Sequence, residues 1–301
     1  MDSLMGAMVT VAPGGLRKML VEPADPVRYT LVLGEERVLL NDWLGRRISL
    51  DFHGVIHCVH CGRKTSKSFN QGYCYPCFRK LAACDTCIVS PERCHYDQGT
   101  CREPEWGEAF CHQPHIVYLA NSSGLKVGIT RRTQLPTRWL DQGATQALPI
   151  LAVATRQQAG LVEVAIKQHA ADRTNWRAML RGTAEPVDLI AERERLLAAC
   201  KPELDALHSR FGLQAIQPLE DAEAVTFAYP VLEYPTKITS LDFGKQPRIE
   251  GTLLGIKGQY LMLDSGVINL RKFSAYQVSF SGAGTAAPEQ APAGQAELTL
   301  E

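Results

Sequence analysis

The cysteines are the first residues in this chain whose types and spacing indicate a chemistry. Nine of the ten lie between Cys58 and Cys111, and the first four form two Cys-x-x-Cys pairs, Cys58 with Cys61 and Cys74 with Cys77. Each pair lets two sulfurs converge on one point, and zinc takes four such thiolates in a tetrahedron. The spacing therefore predicts a zinc-ribbon-like site. Because this segment has few long apolar runs, we expect the metal to supply much of its stability.

The later cysteines predict a second zinc site, for which several residues compete. They are Cys84, Cys87, Cys94, His95, Cys101 and Cys111. Cys84-x-x-Cys87 supplies two ligands, and we favour Cys101 and Cys111 for the other two, with Cys94 or His95 as substitutes. Spacing does not choose among them, because loop geometry sets which sulfur reaches the metal. Two structural zinc ions per chain are expected.

The compartment follows from what the cysteines require. A disulfide framework needs an oxidising environment and normally a secretory signal. The N-terminus carries Asp2 where a basic segment would stand, and Pro13, Gly14 and Gly15 break its short apolar stretch. The sequence also contains no run long and apolar enough for a transmembrane helix. We therefore expect a cytoplasmic protein with zinc-bound thiolates and no membrane partner.

A second set of residues resembles the motifs of the GIY-YIG nuclease superfamily. Ile116-Val117-Tyr118 and Lys126-Val127-Gly128 lie on two predicted strands, Arg138 on the helix that follows and Glu163 on a later helix. The resemblance covers residues 116–173. It implies a GIY-YIG-like core in which the arginine contacts phosphate and the glutamate binds Mg²⁺.

The four candidate catalytic residues have side chains that suit phosphodiester hydrolysis. Tyr118 can position or deprotonate the attacking water, and Arg138 can hold a phosphate oxygen through its forked donors. Glu163 offers the oxygen ligand that Mg²⁺ prefers, and Lys126 adds positive charge. Metal-assisted hydrolysis of a nucleic-acid phosphodiester is the reaction that these residues predict.

Two positions depart from the nuclease motifs. Lys126 stands where the superfamily has its second tyrosine. Gln142, one turn after Arg138, cannot act as a base where nucleases often have His or Tyr. A site altered in this way can bind nucleic acid without cleaving it. The alternative is therefore a non-catalytic zinc adaptor that binds RNA, DNA or a protein partner, and space for a phosphate beside Glu163 would distinguish the two.

The distribution of charge favours nucleic acid more than the total does. Formal net charge is zero. Residues 116–181 carry nine basic and three acidic side chains, whereas residues 182–224 carry four basic and nine acidic ones. A basic module offers phosphate contacts, and the composition of the acidic segment is typical of a solvated helical face.

The secondary-structure elements that position these residues predict an α+β fold. We expect a hairpin over His115–Ala120 and Leu125–Thr130, then a helix, a strand and a helix, which together make a three-stranded GIY-YIG-like sheet with flanking helices. Glycine-punctuated strands return from Val225 and predict a small β-module, with which the few N-terminal strands should pair. We find no clean internal repeat.

The sequence divides into six predicted segments. The whole chain also resembles an uncharacterised bacterial family, known only as a domain of unknown function, in which such cysteines precede VYLANSSGLKVGIT and RWLDQGA. The segments are N-terminal strands (1–57), a zinc-binding region (58–114), the GIY-YIG-like core (115–181), a helical connector (182–224), the C-terminal β-module (225–280) and a disordered tail (281–301).

Overall fold

A computed structural model describes residues 8–170, 173–182 and 184–283. The strands are β1 Met8–Gly15, β2 Leu20–Glu22, β3 Arg28–Leu33, β4 Glu36–Leu39, β5 Arg47–His57, β6 Lys64–Thr65, β7 His115–Asn121, β8 Leu125–Arg131, β9 Gln146–Val153, β10 Ile216–Pro218, β11 Val225–Thr226, β12 Arg248–Lys257, β13 Tyr260–Leu263, β14 Gly266–Asn269 and β15 Tyr276–Ala283. The helices are α1 Tyr75–Lys80, α2 Pro104–Cys111, α3 Thr137–Asp141, α4 Arg156–Ile166, α5 Trp176–Met179, α6 Leu189–Ala199 and α7 Lys201–Phe211. The fold is α+β, as the sequence predicts.

Strands from both ends of the chain form one β-structure, which consists of two sheets. One sheet has the order β1-β15-β5-β12-β13-β14, with β6 added to β5, and a second small sheet has the order β2-β3-β4. The apolar faces of both sheets pack into one core that includes Tyr29, Trp43, Leu50 and Phe280. We call this unit the β-module. The predicted tail begins within β15, and its residues 284–301 lie outside the described part of the chain.

The β-module contains a repeat that the sequence does not reveal clearly. The series β3, β4, a 3-10 turn over Leu40–Trp43 and β5 has the same order as β13, β14, a 3-10 turn over Leu270–Phe273 and β15. Two residues after each turn the backbone enters the left-handed region, at Gly45 (φ 74°) and at Ala275 (φ 81°). The matching strands β5 and β15 pair antiparallel, as two copies related by an approximate two-fold axis would.

The core sheet positions the candidate site. Strands β8, β7 and β9 form an antiparallel sheet with β7 in the middle, and the short strands β10 and β11 both pair with β9. Alternate residues of a strand face opposite sides of its sheet. Val117 and Leu119 accordingly pack with α4, α6 and α7, whereas Tyr118 and Ala120 pack with Trp139 of α3.

Candidate functional site

The first four cysteines converge on one point. The sulfur atoms of Cys58, Cys61, Cys74 and Cys77 all lie within 4.8 Å of one another, and the Cys61 and Cys74 sulfurs are 3.7 Å apart. A tetrahedral zinc ion with zinc–sulfur bonds of about 2.3 Å separates its sulfurs by about 3.8 Å. The four residues are therefore positioned to hold a metal ion, with a separation that suits zinc.

Local backbone structure shapes each half of this metal centre. The first pair follows the end of β5, and Gly62, at φ 69°, donates its N–H to the carbonyl of Cys58. The second pair opens α1, where the N–H of Phe78 donates to the carbonyl of Cys74. One half thus continues a β-module strand and the other half begins a helix.

The opposite pKa shifts of two of these thiols favour a bound cation between them. Burial would raise the pKa of Cys58, but the backbone N–H groups of Cys61, Cys74 and His60 outweigh it and lower that pKa to about 6. Burial and the three neighbouring thiols instead raise the pKa of Cys77. One thiolate thus forms readily and hinders the next, a conflict that a bound metal ion removes.

The structure does not gather the predicted second set of ligands, Cys84, Cys87, Cys101 and Cys111. Cys84 ends one 3-10 turn and Cys87 lies in another, and the extended residue Asp85 separates the two turns. Within the described ranges, the second group that could hold a metal is instead Asp85, Cys87 and His95, whose ligand atoms lie within 4.8 Å of one another. The second zinc ion stays a prediction.

The other cysteines of this region lie near Cys87 without converging on it. Burial, then the carboxylate of Asp85 and the thiols of Cys94, Cys111 and Cys101, raises the pKa of Cys87 to about 11. The competing ligands named from the sequence are therefore neighbours in space. The Asp85 carboxylate also pairs with the Arg102 guanidinium at 2.8 Å.

The cysteine-rich region packs directly on helix α4. A side chain at Gly160 would place its Cβ 2.6 Å from the backbone nitrogen of Glu92 and 2.7 Å from Pro91, so only glycine permits this approach. Arg156 donates from Nη2 to the carbonyl of Ile88 at 2.6 Å, and Gln157 donates to the carbonyl of Cys94 at 3.2 Å. The region thereby forms one wall of a cleft in front of α4.

Tyr118 lies at the floor of this cleft. Its side chain is fully buried and crosses Gly128 on the paired strand β8, where a Cβ would lie 2.6 Å from the tyrosine hydroxyl. Gln142 Nε2 donates to that hydroxyl at 2.9 Å, and Lys126 Nζ donates to Gln142 Oε1. Lys126 also donates to Thr174 Oγ1 at 2.6 Å. Burial raises the pKa of Tyr118, which favours the neutral phenol.

The other two candidate residues reach the cleft from two helices. Arg138 lies on α3, next to the buried Trp139 and Leu140, and its guanidinium interacts with the Tyr118 hydroxyl. Glu163 lies on α4 and is half-buried. The structure therefore brings all four predicted catalytic residues to one cavity, and the amide of Gln142 links two of them.

The cleft is large and mostly basic. Its volume is about 820 Å³, and among the described residues the carboxylates that line it are Asp141 and Glu163. Five basic side chains join Lys126 and Arg138 there, namely Lys18, Arg131, Arg156, Arg173 and Arg271. Seven basic groups facing two acidic ones create a positive potential that attracts anions.

All five of these additional basic residues were missed as site residues from the sequence. Arg131, Arg156 and Arg173 contributed only to the count of basic residues in their segment. Lys18 and Arg271 lie on the β-module, far along the chain from Tyr118, so no local spacing marks them. Burial lowers the pKa of Arg156, and no described residue accepts a hydrogen bond from its Nε.

The family described as "Protein of unknown function (DUF2797)" matches residues 45–278. The chain belongs to this family. No curated protein and no solved structure matches the chain. Membership confirms the resemblance to a domain-of-unknown-function family, whereas the GIY-YIG resemblance stays a prediction. None of the helices described here has the length and apolar character needed to span a bilayer.

Proposed function

We propose that this protein is a zinc-stabilised nucleic-acid-binding protein whose cleft holds a phosphodiester and, with Mg²⁺, hydrolyses it. The observation that carries the proposal is the basic cavity around the four residues that resemble a GIY-YIG site. A polyanion is the ligand class that seven basic groups around two carboxylates suit best.

The volume of the cleft favours the hydrolytic form over the non-catalytic adaptor. An adaptor should have this site filled by side chains, with no room for a phosphate beside Glu163. Here Gln142 hydrogen-bonds with Tyr118 and Lys126, and a cavity of about 820 Å³ remains in front of all three side chains. Space is therefore available for a phosphate and its neighbouring nucleotides.

The residues of the cleft have different roles in the proposed hydrolysis. Tyr118 is a neutral phenol, because burial disfavours its phenolate form, and it positions the Gln142 amide that would in turn orient the attacking water. Arg138 and the half-buried Arg156 offer N–H donors to the non-bridging phosphate oxygens, where negative charge grows in the transition state. Glu163 would hold Mg²⁺, which supplies a Lewis acid at the phosphate and lowers the pKa of bound water.

The first test is a cleavage assay on single-stranded, duplex and branched DNA and RNA with added Mg²⁺ or Mn²⁺. Glu163→Gln keeps the shape of the side chain and removes its charge, so we expect metal-dependent cleavage to be lost while binding persists. Glu203→Gln on α7, which does not line the cleft, is the matched control. An undiminished rate in Glu163→Gln would refute the role given to this carboxylate.

Binding must be measured beside cleavage, because the two can separate. Salt-sensitive binding without cleavage would identify the non-catalytic adaptor and leave the nucleic-acid assignment standing. No binding of any nucleic acid at low salt would overturn the proposal. Metal analysis of the same preparation should find zinc, with loss of that zinc in Cys61→Ser.

A further inference from the structure

A second basic cavity lies next to the cleft on the β-module. It has a volume of about 420 Å³ and shares three residues with the cleft, Lys18, Gln71 and Arg271. Its own basic residues are Arg17 and Arg37, which precede the part of the chain that the family match covers. The two cavities are therefore adjacent compartments of one positively charged surface.

The lining of the second cavity suits a nucleotide. Within the part of the chain that the structure describes, its charged side chains are all basic and none is a carboxylate. Its apolar side chains include Leu20 and Val59, which are exposed by 48% and 39%. Proteins that bind single strands combine a basic groove for phosphates with aromatic side chains on which bases stack. In this cavity the exposed aliphatic side chains beside the arginines offer the bases an apolar surface instead.

A short bridge of side chains connects the two compartments. Arg271 Nε donates to Gln71 Oε1 at 2.5 Å, and the charge of Arg138 in the cleft is near enough to lower the pKa of Arg271, after the larger effect of burial. Lys18 is fixed beside them by its 2.8 Å ion pair with Asp141. A phosphate chain leaving the cleft thus meets positive charge without a break.

The buried position of Tyr118 favours a single strand over a duplex as the substrate. Its side chain has no exposed surface and lies at the floor of the cleft, so a phosphodiester must enter the cavity to reach it. In a duplex each backbone is held across grooves of about 6 and 12 Å from its partner strand. A cavity of about 820 Å³ cannot admit both strands.

We propose that the substrate is a single strand of nucleic acid that lies in both cavities, with one phosphodiester in the cleft and flanking nucleotides against Arg17 and Arg37. This inference rests on the function proposed above. It adds the substrate class and a second subsite that nothing in the nuclease motifs indicates.

The test is the dependence of affinity on strand length. Fluorescently labelled dT and U oligonucleotides of about four and about twelve nucleotides are compared in zinc-loaded protein without added Mg²⁺. We expect the longer strand to bind at least about tenfold tighter, and Arg17→Glu/Arg37→Glu to abolish that gain while leaving the shorter strand unaffected. The salt slope for the longer strand should fall by about 1.4 when two phosphate contacts are lost.

The matched control is Lys201→Glu/Arg210→Glu on α7, which makes the same change in net charge outside both cavities. It should retain the gain with length. Should the double variant fail to fold, Arg17→Gln alone is measured, because Arg17 is exposed. A gain that survives in a folded Arg17/Arg37 variant would overturn the second subsite but not the proposed function.

The binding data distinguish the proposed function from the single-strand assignment. A wild-type protein that binds no oligonucleotide would overturn the proposed function itself. A blunt duplex of the same sequence that binds as tightly as the twelve-residue strand would overturn the single-strand assignment alone.

Discussion

Replacing Lys257 by methionine should stabilise the protein at neutral pH. Lys257 ends β12 with no exposed surface, and its Nζ donates to the carbonyl of Gly182 at 3.1 Å. Within the described ranges no carboxylate lies within ion-pair distance of that ammonium. Its remaining neighbours are the rings of Tyr229 and Tyr234, with centroids 5.5 Å away. Such a charge loses its hydration without a countercharge.

The size of the effect follows from the shift in protonation. Burial lowers the pKa of Lys257 from 10.5 to about 8. A shift of that size corresponds to about 3 kcal/mol of unfolding free energy lost while the lysine is charged in both states. The two aromatic rings and the hydrogen bond offset part of it, so we expect Lys257→Met to gain about 1 to 2 kcal/mol at pH 7.

The sign of the pH dependence provides a sharper test than the gain itself. Between pH 8 and 10.5 the folded state releases the lysine proton before the unfolded state does, so the stability of the wild type rises with pH in this window. Lys257→Met lacks that contribution. The unfolding free energy of the variant relative to that of the wild type should therefore fall by about 3 kcal/mol from pH 7 to above pH 10, so that the wild type becomes the more stable protein.

The measurement is guanidinium unfolding of both zinc-loaded proteins at a series of pH values. Lys201→Met is the control, because Lys201 is an exposed lysine paired with Asp205 on α7 and should change stability little at any pH. Parallel pH profiles for wild type and Lys257→Met would refute the reasoning, since they would show that the buried lysine does not titrate differently in the two states.

Three further perturbations have defined outcomes. Gly128→Ala should displace the Tyr118 side chain and abolish nucleic-acid cleavage, whereas Gly182→Ala, with no atom within 4 Å of its Cβ, should be active. Acid should destabilise the wild type by about 3 kcal/mol between pH 6.5 and 4, because burial lowers the pKa of His115 to about 4 and only the unfolded state protonates in that window. His115→Asn should lose this slope in urea unfolding. Zinc chelation should lower the melting temperature of the wild type, and Cys61→Ser should resemble the chelated protein in calorimetry.

The elements that could be predicted from the sequence are those that local spacing defines. The hairpin was expected over His115–Ala120 and Leu125–Thr130, and β7 and β8 cover those residues with one more at each C-terminal end. The first four cysteines likewise carry their own geometry in two Cys-x-x-Cys pairs. Both signals depend on a few neighbouring residues, so tertiary structure does not override them.

The prediction of strands from Val225 onward was wrong for the first part of that segment. Val225–Thr226 forms a two-residue strand that pairs with β9 of the core, and Val231 makes only an isolated bridge to Gly255 of the β-module. Pro230 lacks the N–H that a ladder needs. The segment instead bridges the two units, because Ala228 accepts a hydrogen bond from Val27 and the Tyr229 hydroxyl donates to Ala144. Only the assembled fold supplies those partners.

The repeat in the β-module was missed for a related reason. Its two copies share the spacing of apolar positions and a left-handed residue after the 3-10 turn, but few identical side chains. At the left-handed position one copy has Gly45 and the other has Ala275, so the glycine that would mark the turn is present only once. A backbone repeat of this kind becomes visible when dihedral angles and strand pairing are known.

The cleft shows why the β-module matters to a site that resembles a nuclease core. Helix α3 carries Arg138, and Gln142 follows its last residue. That last residue, Asp141, accepts hydrogen bonds from Lys18 at 2.8 Å and from Gln259 at 2.9 Å. Both partners belong to the β-module. The orientation of α3 therefore depends on contacts from the two ends of the chain, just as the opposite wall depends on the metal centre. The core alone provides Tyr118 and Glu163, whereas the β-module adds Lys18 and Arg271, and the cysteine-rich region closes one side with uncharged residues such as Pro91 and Trp106.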